Sequence, residues 1–131
     1  MANRPRRVSG DSGMSTSQVA ILFPAVLVWL LLIVQYGLWW HAKQVADAAS
    51  AEAVTAAVTP TGTDDIGHDA AQRFLDQAGN LRDVTITVER GPATVTATVT
   101  GHAPRLIPGL AWSVTARSIA PVEEYLDLNQ R

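Results

Sequence analysis

The chain contains no cysteine, a single lysine and three histidines. The lack of cysteine excludes disulfides, thiol catalysis and cysteine-ligated zinc, so a domain of this protein is held together by burial and hydrogen bonding alone. No glycine-rich phosphate loop follows a predicted strand. The 131 residues leave room for one small domain and one membrane segment.

The few residues that could carry chemistry are scattered. His41, His68 and His102 fall in different predicted elements, and none has a partner at metal-ligand spacing. The acidic cluster within Asp64–Asp69 coincides with the start of a predicted helix, where carboxylates stabilise the helix dipole. We therefore predict no cofactor, no metal site and no enzymatic activity.

Charge is distributed unevenly along the chain. The first 18 residues carry Arg4, Arg6 and Arg7 against Asp11, whereas from residue 41 onward there are 7 basic and 11 acidic side chains. An acidic distal part does not suit a nucleic-acid partner, because binding the phosphate backbone requires a basic surface. The three arginines instead suggest an orientation signal beside a membrane segment.

That segment is Val19–Trp40, 22 residues without a formal charge. A helix of this length spans about 33 Å, close to the ~30 Å hydrocarbon core of a bilayer, and it exceeds the ~7–15 apolar residues of a cleavable signal peptide. Trp39 and Trp40 at its distal end are typical of an interfacial aromatic belt. We predict a transmembrane helix with a cytoplasmic N-terminus and an extracytoplasmic remainder.

Three residues interrupt the apolar pattern of this segment. Pro24 removes a backbone donor and should bend or loosen the helix. Gln35 and Gly37 either support contact with another helix or are simply tolerated, and the sequence leaves both alternatives open.

The next 18 residues, 41–58, contain neither glycine nor proline, so the membrane helix is predicted to continue as one helix over residues 14–58. Alanines recur there at alternating spacings of four and three, the pattern of a seam that allows close approach. The seam packs on the protein's own distal domain or on neighbouring subunits, and the two alternatives are compatible. It consists of Ala42, Ala46, Ala49, Ala53 and Ala56.

Residues 59–122 are predicted to form a small α+β domain. Pro60 and Gly62 break the long helix, and a second helix follows, capped by Thr63 or Asp64 and ended near Gly79. Its apolar positions fall on one face: Ile66, Ala70, Phe74, Leu75 and Ala78.

Two alternating segments on either side of "RGPA" then predict a hairpin over residues 83–101, and residues 111–122 a third strand. The expected fold is α+β: a long N-terminal transmembrane helix extending into a small domain of one helix and a three-stranded antiparallel sheet. Residues 123–131 form a polar tail.

The segment "GMSTSQVAILFP", residues 13–24, preceded by a basic leader, resembles the N-terminus of TadE-like pseudopilins of the tight-adherence pilus system. The resemblance implies that Gly13 and Met14 flank the cleavage site of a prepilin-type peptidase, with Gly10 a second candidate at poorer spacing, and that Pro24 is the family proline. The leader is then residues 1–13. Other pilin or pseudopilin subunits and the pilus assembly machinery are the implied partners.

The sequence departs from the family at Gln18, where the resemblance calls for glutamate. In pilins that carboxylate is thought to offset the amino group of a neighbouring subunit, and a glutamine offers only an amide hydrogen bond. Gln18 therefore suits a minor or accessory pseudopilin. The alternative is an unprocessed, signal-anchored binding domain of the bacterial envelope.

Overall fold

The computed structural model describes the backbone of residues 12–122 and the side chains of residues 16–122. Most of the predicted leader, residues 1–11, and the predicted tail, residues 123–131, lie outside the described residues. The predicted α+β fold is confirmed. Its elements are helix α1 (Ser12–Val58), helix α2 (Asp64–Ala78) and strands β1 (Arg82–Arg90), β2 (Thr94–His102) and β3 (Ser113–Pro121).

The chain divides into two units after Val34, and the first contains most of the apolar segment of α1. Every side chain from residue 16 to residue 34 is exposed, and Trp29 and Ile33 are 69% and 62% accessible. So much contiguous apolar surface is unfavourable in water. Within the described part of the chain, α1 is the one helix long and apolar enough to cross a membrane. It continues through Pro24 without ending.

In the second unit, α1 packs its alanine face on the sheet. The four alanines at positions 42, 46, 49 and 53 are fully buried, which corresponds to the first of the two alternatives for the seam. The fifth buried position is Ala57 rather than the predicted Ala56, which is half-buried. A straight helix of 3.6 residues per turn drifts from a 3.5-residue seam by about 20° per heptad, and this drift turns position 56 away from the buried stripe and brings position 57 toward it.

The sheet is an antiparallel meander in the order β1-β2-β3. Its inner face follows the predicted alternation, with Val95, Ala97 and Val99 of β2 fully buried. The third strand starts at Ser113, two residues later than predicted, because the last pair joins Ser113 to His102.

Helix α2 is capped by the Thr63 side chain, which accepts a hydrogen bond from the N–H of Ile66, and it ends at a left-handed Gly79, as predicted. Its predicted apolar face is buried or half-buried except at Ile66, which is 43% exposed, and the buried face also includes Gly67 and Ala71. A Cβ on Gly67 would lie 2.8 Å from the carbonyl oxygen of Ala53. The small residues thus let α2 approach α1 closely.

Arg90 fastens the end of α1 to the sheet. Its guanidinium Nη1 donates to the carbonyl oxygens of Ala57 at 2.6 Å and Thr59 at 2.9 Å, and also to that of Gly62. Its backbone N–H donates to Oδ1 of Asp64 at 2.8 Å. A cation at the C-terminal end of a helix satisfies carbonyls that have no partner within the helix.

The alanine face gives a matched pair of substitutions. Ala49→Leu should lower the free energy of unfolding by about 1–3 kcal/mol, because extra methyl groups do not fit between α1 and the sheet. Ala48→Leu, on the exposed side of the same helix turn, should change it by less than about 0.5 kcal/mol. Denaturation of the full chain in detergent measures both. Equal effects would contradict the packing described here.

Candidate functional site

The structure separates the predicted site residues into two groups. Gly13 and Met14 fall in the first turn of α1, and Gln18 and Pro24 lie further along it with exposed side chains. The alanines at 42, 46, 49 and 53 share one buried face. Their predicted roles in processing and assembly stay predictions.

Gln35 makes contacts that sequence reasoning did not foresee. Its side chain is completely buried. Nε2 donates to the carbonyl oxygen of Pro104 at 3.2 Å, and Oε1 accepts from the N–H of Leu106 at 3.0 Å. The partner is thus not another helix but the segment between β2 and β3, residues 103–112, called here the β2–β3 loop. Both ends of the amide are satisfied within the chain.

One turn further on, Trp39 holds the other end of the same loop. Its indole Nε1 donates to the carbonyl oxygen of Ser113 at 3.2 Å, and its ring meets that of Trp112 edge-on, with centroids 6.3 Å apart. Tyr36 lies beside both Trp39 and Trp40, at centroid distances of 5.9 and 6.5 Å. Tyr and Trp side chains of this kind, apolar with one polar atom, are enriched at membrane–water interfaces.

The β2–β3 loop also has hydrogen bonds within its own backbone. The N–H of Ala103 donates to the carbonyl oxygen of Trp112 at 3.0 Å, and that of Leu110 to Ile107 at 3.2 Å. Pro108 and Gly109 occupy the centre of the latter turn, and Gly109 has φ +86°. Proline followed by a residue with positive φ is the arrangement of a type II turn.

A cleft of about 440 Å³ opens beside this loop and carries more positive than negative charge. At its edge the ladder between β1 and β2 is irregular, and Asp83 adopts a left-handed φ of 51°. Nδ1 of His102 is buried without a hydrogen-bond partner among the described residues and lies 3.9 Å from Oδ2 of Asp83. The cleft is lined by Arg82, Asp83, His102, Ala103, Arg105 and Ala111.

Among the described side chains no three histidine, aspartate or glutamate residues come together as a group that could hold a metal ion. The functional features of the described chain are therefore surfaces: the exposed apolar part of α1, and the loop with its aromatic and cationic surroundings. These features define a protein with a single apolar anchor helix and a small α+β domain.

Comparison with known families shows which proteins with an anchor helix this chain is similar to. The family model of TadE-like proteins matches residues 13–55, about a third of the chain, and the resemblance predicted from residues 13–24 is thereby confirmed. The match covers most of α1, including Gln35, and stops before α2. No curated protein and no solved structure matches the chain. The family match and the apolar helix together fit a membrane-anchored protein related to the tight-adherence pilus.

The sequence did contain a signal for the Gln35 contact. A single strongly polar side chain within an otherwise apolar segment requires a hydrogen-bond partner. The loop after β2, with two prolines and several apolar residues, was recognisable as a loop. That the two meet depends on the length of the strands and on the register of α1 on the sheet, which the sequence pattern does not supply.

Removal of the Gln35 side-chain amide should make local opening of the β2–β3 loop more frequent. Gln35→Leu leaves the carbonyl of Pro104 and the N–H of Leu106 without their partner, at a cost of about 1–3 kcal/mol. The amide of Leu106 should then exchange with solvent about 10- to 100-fold faster, which hydrogen-exchange NMR of the full chain measures. Gln44→Leu, exposed on the same helix, is the control. An unchanged exchange rate at Leu106 would rule out this role for Gln35.

Proposed function

We propose that this protein is a TadE-like minor pseudopilin, a membrane-anchored structural subunit that takes part in assembling a tight-adherence, type IV-like pilus or secretion filament. One observation carries the proposal: the family match at residues 13–55 coincides with the helix that bears both the apolar segment and the glycine motif. The family is structural, and the described side chains offer a surface for contacts.

In this proposal Val19–Trp40 of α1 spans the inner membrane, with the N-terminus in the cytoplasm and residues 59–122 outside. The arginines before the segment and the excess of acidic residues after it support this orientation, because positive charge is retained on the cytoplasmic side. The exposed apolar side chains from residue 19 to residue 34 face lipid or the helices of neighbouring subunits.

A prepilin-type peptidase would cleave between Gly13 and Met14 and leave Met14 as the new N-terminus. Gln18 would then lie five residues beyond the glycine and offer an amide, not a carboxylate, to a neighbouring chain. A neutral partner compensates a buried ammonium group less well. This favours a minor or accessory position in the filament over the polymerising one.

The alanines at 42, 46, 49 and 53 support assembly indirectly in this proposal. They are fully buried among residues of the sheet and of α2, so they hold the distal domain on the helix. Exposed parts of α1, including Gln18 and Pro24, then make the contacts with other subunits.

The second candidate function belongs to another class. Gln18 in place of glutamate favours an unprocessed, signal-anchored domain that binds a ligand or component of the bacterial envelope. The two candidates differ in the covalent state of the N-terminus, because an unprocessed anchor retains its arginine leader.

The mature N-terminus distinguishes them. Intact mass and N-terminal peptide analysis of the protein from its native membrane should give a chain that begins at Met14. Gly13→Val should retain the leader, whereas Gly10→Val, at the poorer spacing, should be processed as the wild type. A wild-type chain that still carries Arg4–Arg7 would contradict the pseudopilin proposal. A chain that starts within residues 46–53 would indicate a secreted domain.

A further inference from the structure

We propose that the β2–β3 loop, residues 103–112, is a second membrane contact, which lies in the lipid–water interface of the leaflet that holds the distal end of the apolar segment of α1. This inference rests on the membrane anchoring proposed above and adds to it a phospholipid-binding surface on the small domain. Four features of the loop support it.

The first is depth. The loop is hydrogen-bonded to Gln35 and meets the ring of Trp39 through Trp112, and both α1 residues lie within the last six of the apolar segment. Gln35 precedes Trp40, the last apolar residue, by five positions, which corresponds to about 7.5 Å along the helix axis. Interfacial elements bury their apolar faces by about 5–10 Å. If Trp40 marks the interface, the loop reaches the headgroup–acyl boundary.

The second feature is apolar surface. Leu106 is 51% exposed, and Ile107, Leu110 and Trp112 are half-buried. The ten loop residues include no acidic side chain and one charged residue, Arg105. This surface lies next to the aromatic side chains of α1, and Tyr36 and Trp40 of that group are each 53% exposed. Lipid that surrounds the end of the apolar segment would therefore also cover the loop.

The third feature is the backbone. Non-helical chain persists at membrane depth only where its polar groups are satisfied by protein. The Gln35 amide satisfies the carbonyl of Pro104 and the N–H of Leu106, and the N–H of Leu110 is bonded within the loop. Pro104 and Pro108 have no N–H to satisfy. The buried glutamine thus supplies partners for two backbone groups that would be costly to immerse unpaired.

The fourth feature is charge. The cleft beside the loop places the guanidinium groups of Arg82 and Arg105 near His102, against a single carboxylate, Asp83. Arginine binds phosphate through paired N–H donors. At the edge of an inserted apolar loop, these side chains fall at the level of the lipid phosphates, and anionic headgroups add electrostatic attraction.

Because the chain has no cysteine, single-cysteine variants allow nitroxide labels at chosen positions of the full chain. Leu106→Cys reports on the loop, Trp29→Cys on the apolar helix, and Ala93→Cys, exposed at the β1–β2 turn, on the remote end of the hairpin. In phosphatidylcholine–phosphatidylglycerol vesicles, collision rates with oxygen and with a water-soluble nickel chelate give the depth of each label. The labels at 29 and 106 should both show an oxygen-to-nickel ratio several-fold above that at 93.

Each alternative outcome has a defined meaning. A label at 106 in water with the label at 29 in lipid overturns the loop inference and leaves the anchor intact. Both labels in water overturn the anchor as well. A label at 106 shielded from both reagents indicates that protein, such as a second copy, covers the loop, and also overturns the inference.

The proposed binding of Arg82 and Arg105 to lipid phosphate is tested separately, in chains that also carry Leu106→Cys. Arg82→Gln combined with Arg105→Gln should make the label at 106 several-fold more accessible to the nickel chelate in vesicles rich in phosphatidylglycerol. Arg117→Gln, an exposed arginine on the third strand, should leave it unchanged. An unaltered depth in the double variant would overturn the assignment of these arginines to lipid phosphate.

Discussion

The structure depends on one close contact, between the alanine face of α1 and the inner face of the sheet. Four alanines without exposed surface share a core with the inner residues of the sheet and with α2. The sheet is not stable alone, since three short strands need a covered apolar face. In a chain without disulfides this burial supplies the cohesion, and Ser50 adds a polar link, with its hydroxyl 2.7 Å from that of Ser118.

The same contact fixes the position of the sheet along the axis of α1. The loop between β2 and β3 lies beside Gln35 and Trp39. The opposite end of the sheet lies beside the end of α1, where Arg90 donates to the carbonyl oxygen of Ala57. Hydrogen bonds therefore join both ends of the sheet to α1, from the amide of Gln35 at one end and from the guanidinium of Arg90 at the other. One end carries apolar and aromatic side chains, and the other carries the polar turns.

This arrangement gives each half of α1 a different environment. Up to Val34 the helix exposes apolar side chains on all sides, as expected for a segment in lipid or among other helices. From Gln35 onward one face belongs to the small domain.

The sequence by itself determined the elements: the apolar block, the uninterrupted helix to Val58, the caps of α2, the hairpin, and the family to which residues 13–55 are similar. These are local patterns of hydrophobicity, propensity and motif spacing, which neighbouring residues specify among themselves. Only the tertiary structure decided that Ile66 of α2 is exposed, that Ala57 and not Ala56 completes the seam, and that Gln35 and Arg90 reach carbonyls 69 and 33 residues away in the chain. Such contacts depend on how closely small residues let two helices and a sheet approach, and on strand register, which are properties of packing in three dimensions.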